Sequence, residues 1–123
     1  MTKFTKAVAA LAAMIVALVG ATAQAETITF RIQSDYQYKM QIAFYSQARN
    51  HVWPGPGQAY NIADDSVHEY PLSCRPGESI CYGAWPEGNA SKVWGVGPDN
   101  GNRCSQCCYT CGEGDITPVI TLQ

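Results

Sequence analysis

Apolar and polar positions alternate along most of the chain after residue 26. In TITFRI, Ile28, Phe30 and Ile32 interleave with Thr27, Thr29 and Arg31, a period of two that puts the apolar set on one face of a sheet. After the polar break Gln33-Ser34-Asp35, the run YQYKMQIAFYS repeats the pattern with Tyr36, Tyr38, Met40, Ile42 and Phe44. Two such runs joined by a short break predict an antiparallel strand pair. RNHVWPGPGQ is expected as a loop, because Trp53–Gly57 holds two X-Pro steps and two glycines, and proline lacks the ladder donor and fixes φ. AYNI, VHEYPLSC and ICYGAW read as further strands, VWGVG as a short glycine-broken one, and Asp99-Asn100-Gly101 as a hairpin-type turn. ITPVITL closes the chain as a strand and is a natural neighbour for TITFRI. No 3.6-residue apolar period persists for ten residues after residue 25. The predicted class is all-β: a small disulfide-stabilised antiparallel β-sandwich, with a partly open barrel as the alternative.

The beginning of the chain follows a different rule. Lys3 and Lys6 precede an apolar run from Ala7 to Gly20, and Ala23-Gln24-Ala25 supplies small residues at an A-x-A site. That order is the pattern of a secretory signal peptide of bacterial kind, cleaved after Ala25. The run is shorter than the roughly 20 residues that span a bilayer, so no membrane span is expected after cleavage. Removing 25 of 123 residues leaves 98, Glu26–Gln123, as one β domain. It also removes two of the eight Lys+Arg and none of the ten Asp+Glu, so net charge moves from −2 to −4. A mildly acidic chain with scattered cations has no electrostatic footprint for nucleic acid or anionic membrane. The expected location is the periplasm or the medium. There a 98-residue domain, near the size at which cores begin to need staples, is free to form disulfides.

Six cysteines remain, and four fall in CSQCCYTC: Cys104, Cys107, Cys108 and Cys111. In CRPGESIC, Pro76-Gly77 favours a tight turn that brings Cys74 opposite Cys81, a spacing suited to a cross-strand bridge. On that reading Trp85, on the same face as Cys81, packs beside it. Six cysteines allow 15 pairings, and a bridge from the cluster to Cys74 or Cys81 is the alternative. All six are disulfide candidates, since export makes oxidation the default. The competing reading is a metal site of Cys104, Cys107, Cys108 and Cys111 holding zinc or copper; otherwise no cofactor is expected. A single zinc site normally draws its two CxxC knuckles from separate stretches, so abutting units fit poorly. Thioredoxin-like chemistry wants CxxC at a helix N-terminus within a βαβ pattern, which is absent here.

The strand pair, the WPGPG loop, CRPGESICYGAW, WGVG and CSQCCYTCGEG, in that order, resemble a group of small exported, cysteine-rich bacterial proteins of uncharacterised function. The resemblance implies secretion and one compact domain, and it supplies no catalytic residues. A looser similarity to the opening of thaumatin-like β-sandwiches implies only a kindred fold.

Candidate chemistry is sparse. His51 and His68 are the two imidazoles; no G-x-S-x-G elbow accompanies them, and Asp64-Asp65-Ser66 reads as a solvated turn. Asp99, Asn100, Asn102, Glu113 and Asp115 lack the spacing of a known calcium loop, and the sequon Asn89-Ala90-Ser91 carries little weight in a bacterial chain. No catalytic residue is assigned, and the chain reads as non-enzymatic. Binding is the expected role, with Trp53, Trp94 and Tyr109 as loop aromatics suited to stack on a glycan or to anchor an envelope protein.

Overall fold

The computed structural model describes residues 25–123, so the predicted signal segment lies outside the described residues except for Ala25. Nine strands follow in order: β1 (Glu26–Ser34), β2 (Met40–Ser46), β3 (Val52–Trp53), β4 (Tyr60–Ile62), β5 (Val67–Cys74), β6 (Ser79–Pro86), β7 (Trp94–Gly95), β8 (Cys108–Thr110) and β9 (Asp115–Leu122). A single 3-10 turn, Pro98–Asn100, lies between β7 and β8. Among the described residues no helix is long and apolar enough to cross a membrane. The all-β class, the mostly antiparallel pairing and the disulfide stapling are as the alternation and cysteine count predict.

One sheet has three strands in the order β5-β1-β9, and the other has six. In the larger sheet β2 and β6 form the central pair, with Phe44 opposite Tyr82 and Tyr45 opposite Cys81. Each outer row is split: β3 and β4 both pair with β2, and β7 and β8 both pair with β6. After Trp53, the rest of the WPGPG stretch lies between β3 and β4, where its prolines interrupt the ladder. Unlike the loop expected for the whole of Arg49–Gln58, Val52 and Trp53 within it are strand.

β1 and β2 are not the antiparallel pair that their sequences suggest. β1 runs antiparallel to β5 and parallel to β9, and the five residues Asp35–Lys39 arch across to the second sheet. The reason is that both runs carry a wholly apolar inner face. Packed face to face, these faces bury each other, and Phe30 meets Phe44 with ring centroids 4.7 Å apart. The inter-sheet core holds Ile28, Phe30 and Ile32 from β1 against Met40, Ile42 and Phe44 from β2, with Leu72, Ile80, Ile120 and Leu122 around them. The second connection, Arg75–Glu78, is likewise an arch. The turn at Pro76-Gly77 forms, with Gly77 at φ 76° and the Glu78 N–H donating to the Arg75 carbonyl at 3.0 Å, but it joins two sheets and makes no hairpin.

β9 does neighbour β1, as the final strand of the sequence suggests. Its register shifts between Thr29 and Arg31, where Pro118 has no N–H to offer. Thr117, buried at the bulge, accepts the Arg31 N–H with its hydroxyl at 3.1 Å.

Candidate functional site

The cysteine cluster resolves into three disulfides, Cys74–Cys111, Cys81–Cys108 and Cys104–Cys107, with no cysteine left free. All six candidates are paired, but Cys74 does not pair with Cys81, because the arch sends β5 and β6 to different sheets. Cys81 instead faces Cys108 directly across the β6–β8 ladder. Cys111 reaches Cys74 and so ties the larger sheet to the smaller one; its backbone also bonds the arch, accepting from Gly77 and donating to the Glu78 carbonyl. The alternative metal set of Cys104, Cys107, Cys108 and Cys111 offers no free thiolate in this pairing. Among the described residues no group of three or more His, Cys, Asp or Glu is placed to hold a metal. Sequence separations of 37, 27 and 3 residues correspond, by loop entropy, to stabilisations of about 4, 4 and 2 kcal/mol. The first two bridges hold the fold; the third closes only a small ring.

Of the three aromatic candidates, Trp53 belongs to the core and Tyr109 packs half-buried against it. Trp53 is 8 % exposed in β3, its indole N–H donates to the Ser73 carbonyl of the opposite sheet at 3.1 Å, and the Arg49 guanidinium lies 5.7 Å from its ring. Tyr109 sits in β8, edge-on to Phe30 at 5.5 Å. Trp85 packs against the cluster around Cys81, as its parity predicts, but on the outer face of the larger sheet and not between the sheets.

Trp94 differs. It is half-buried in β7, its indole N–H donates to the Gln123 carbonyl, and its ring meets Tyr36 at 5.1 Å. Tyr36 in turn meets Tyr38 at 5.6 Å, so three rings run in a strip at the end of the sandwich. Lys92 lies over Tyr36 and Trp94, its ammonium 4.4 and 5.3 Å from the two ring centroids. Tyr38, with 61 % of its surface exposed, is among the most exposed large hydrophobic side chains described. Sequence reasoning places Tyr36 and Tyr38 on a strand face because the alternation runs on without a break. In the structure β2 begins only at Met40, and both tyrosines stand in the arch. The cue available is the polar company in SDYQYK.

The strip opens into a groove of about 610 Å³ between the β1–β2 arch and the β4–β5 turn. Tyr36, Tyr38 and Ile62 give it apolar wall; Asp35, Asp64 and Asp65 give it carboxylates against the single ammonium of Lys39. Asp64 accepts from the Ser66 hydroxyl at 2.6 Å and the Ser66 N–H at 3.0 Å, and it meets His68 Nε2 at 2.7 Å. Those contacts, the Ser66 hydroxyl first and His68 second, hold its carboxyl down at about 2, so it is ionised across ordinary pH. Serine, histidine and aspartate thus meet in one turn, but not as a nucleophilic relay. The serine hydroxyl donates to the aspartate, and the same histidine nitrogen faces both partners, whereas a relay needs the histidine to bridge them through its two nitrogens. His51 lies elsewhere, edge-on to Trp53 at 4.4 Å.

A smaller cleft of about 330 Å³ on the outer face of the larger sheet is lined by Tyr45, Trp85, Gln41 and Asp99. Its polar tips are already committed within the protein: the Tyr45 hydroxyl accepts the Asp99 N–H at 2.9 Å, and the Trp85 indole donates to Gln41 at 2.9 Å. The aromatic groove retains exposed carboxylates and the exposed Tyr38 side chain. Comparison of the chain with protein-family models, with curated proteins and with solved structures returns no match.

Proposed function

We propose that this protein is an exported binding module, non-enzymatic, whose groove takes a neutral or cationic glycan. The observation that carries the reading is the Tyr38–Tyr36–Trp94 strip beside exposed carboxylates. A sugar ring has an apolar C–H face and a hydroxyl edge, and its natural host is an aromatic surface flanked by hydrogen-bond acceptors. Three carboxylates in the groove, against Lys39 and the Lys92 ammonium over the strip, leave a negative balance that disfavours an anionic polymer. Tyr38 supports the reading further, because beyond its edge contact with Tyr36 its side chain is left 61 % exposed. Export is supported by the N-terminal pattern ending at Ala25 and by the pairing of every cysteine, since disulfides persist in oxidising compartments.

Retention of the secreted protein in gels containing a neutral β-glucan, or on chitin, tests the proposal, with alginate as the anionic comparison. Wild type is expected to be retained on a neutral polymer and not on alginate. Tyr38→Ala is expected to weaken retention about tenfold or more, equivalent to about 1.4 kcal/mol, with an unchanged melting temperature. Trp53→Ala is expected to lose about 3–5 kcal/mol of stability as a core truncation. Equal retention of Tyr38→Ala and wild type, or retention on alginate alone, would reject the groove as the site.

A further inference from the structure

The Cys104–Cys107 bridge stands apart from the other two, and we propose that it is a thiol–disulfide exchange site for a dithiol, such as a cysteine pair on another polypeptide. Four observations converge on it. Opening it removes no long-range cross-link, because its cysteines are three residues apart, against 37 and 27 for the others. Its surroundings are pinned independently: Asn102 N–H donates to the Val96 carbonyl at 2.9 Å, Tyr82 N–H donates to the Cys107 carbonyl at 3.0 Å, and Cys108 is bridged to Cys81. Both sulfurs therefore stay close together when the bond is open, which favours reclosure. The bridge is also asymmetric, with Cys107 at 0 % exposure and Cys104 half-buried, so an incoming thiolate has one sulfur to reach. Finally, a surface hollow of about 390 Å³ has Cys104 in its wall, beside Arg103, Asn100, Asn102 and Ser105. A cation and amides are groups suited to steer a thiolate and to bond a peptide backbone. Cys108 is half-buried too, but its bridge ties β8 to β6 across the ladder. Cys74 and Cys111 are both buried.

The exchange balances as follows. One thiolate of the dithiol attacks the Cys104 sulfur, the Cys104–Cys107 bond breaks, and its electron pair leaves on the Cys107 sulfur, which takes up a proton. The second thiolate of the dithiol then attacks its own half of the mixed disulfide and releases Cys104 as a thiolate. The dithiol ends as a disulfide, and Cys104 and Cys107 end as two thiols, one pair of electrons having been transferred.

Native protein titrated with dithiothreitol, trapped by alkylation and mapped by mass spectrometry tests this directly. Cys104 and Cys107 are expected to become labelled at least about tenfold faster than the other four cysteines, with the far-ultraviolet circular dichroism unchanged. The wild type is also expected to oxidise close to one equivalent of a reduced dithiol peptide, and Cys104→Ser/Cys107→Ser none. A single-cysteine version of the peptide is expected to be caught on wild-type Cys104, and not on Cys107, as a mixed disulfide after acid quenching, with one new thiol at Cys107. Joint reduction of all three bridges with loss of structure, or first reduction of Cys81–Cys108, would overturn the proposal. Because dithiothreitol and the peptide require no glycan, failure here leaves the groove reading untouched.

Discussion

Glu78 concentrates more polar bonding than any other side chain described in the core region. Its side chain is 1 % exposed, yet it accepts from Arg49 Nε and Nη2 at 2.5 and 3.0 Å, from the Ser46 hydroxyl at 2.6 Å and from the Arg75 N–H at 3.0 Å. A buried carboxylate persists only when its charge is met in this way. The Arg49 guanidinium first, then the Ser46 hydroxyl and the Arg75 N–H, lower its carboxyl from 4.5 to about 2. Because the folded value lies below the unfolded one, the stabilisation is complete above about pH 4.5 and is lost as pH falls towards 2. Glu78→Gln removes the charge and places an amide N–H against the guanidinium. It is expected to cost about 2–4 kcal/mol at pH 7, with the gap from wild type closing below pH 4.5; urea denaturation at a series of pH values measures both.

Among the elements, the contact of β6 with β7 decides where Trp94 stands. Gly83 pairs with Gly95, and a Cβ on Gly83 would run into the Gly97 carbonyl oxygen. Gly95, at φ 61°, would likewise drive a Cβ into the Tyr82 carbonyl. Only glycine allows these backbones to approach. Gly83→Ala is expected to push β7 from β6 and to destabilise by about 2–4 kcal/mol. It is also expected to lower glycan retention, since Trp94 would move off Tyr36; the urea midpoint and the β-glucan gel report the two effects separately. A stable variant with normal retention would show that β7 does not position the ring.

For the whole molecule, the decisive covalent link is Cys74–Cys111, which joins the two sheets at the end where β5 arches into β6. The sandwich buries its core between faces that share no ladder, so this bridge limits how far the sheets can separate. Cys74→Ala/Cys111→Ala is expected to cost about 4 kcal/mol, a fall of roughly 15–30 °C in melting temperature for a domain of this size, and calorimetry at fixed pH checks it. Cys104→Ser/Cys107→Ser is expected to cost about 2 kcal/mol or less, the contrast that separates stapling from exchange.

The sequence by itself determined the main strands, the inward-facing residues Ile28, Phe30 and Ile32 of β1 and Met40, Ile42 and Phe44 of β2, and the expectation that the cysteines are oxidised. Those properties are local: a period of two, the missing N–H of proline, and the small-residue pattern Ala23-Gln24-Ala25 are each read within a few residues. Even the neighbour of β9 was legible, because a closing strand finds few free edges. The tertiary structure alone decided the rest. It sent TITFRI and MQIAFYS to opposite sheets, it paired Cys74 with Cys111 and not Cys81, and it buried Trp53 and set Tyr109 against Phe30 while leaving Tyr36, Tyr38 and Trp94 as the strip. Those outcomes turn on which apolar faces bury each other across some 10 Å of core. Alternation along one strand cannot state that, because a strand paired within a sheet and a strand packed across a sandwich show the same period.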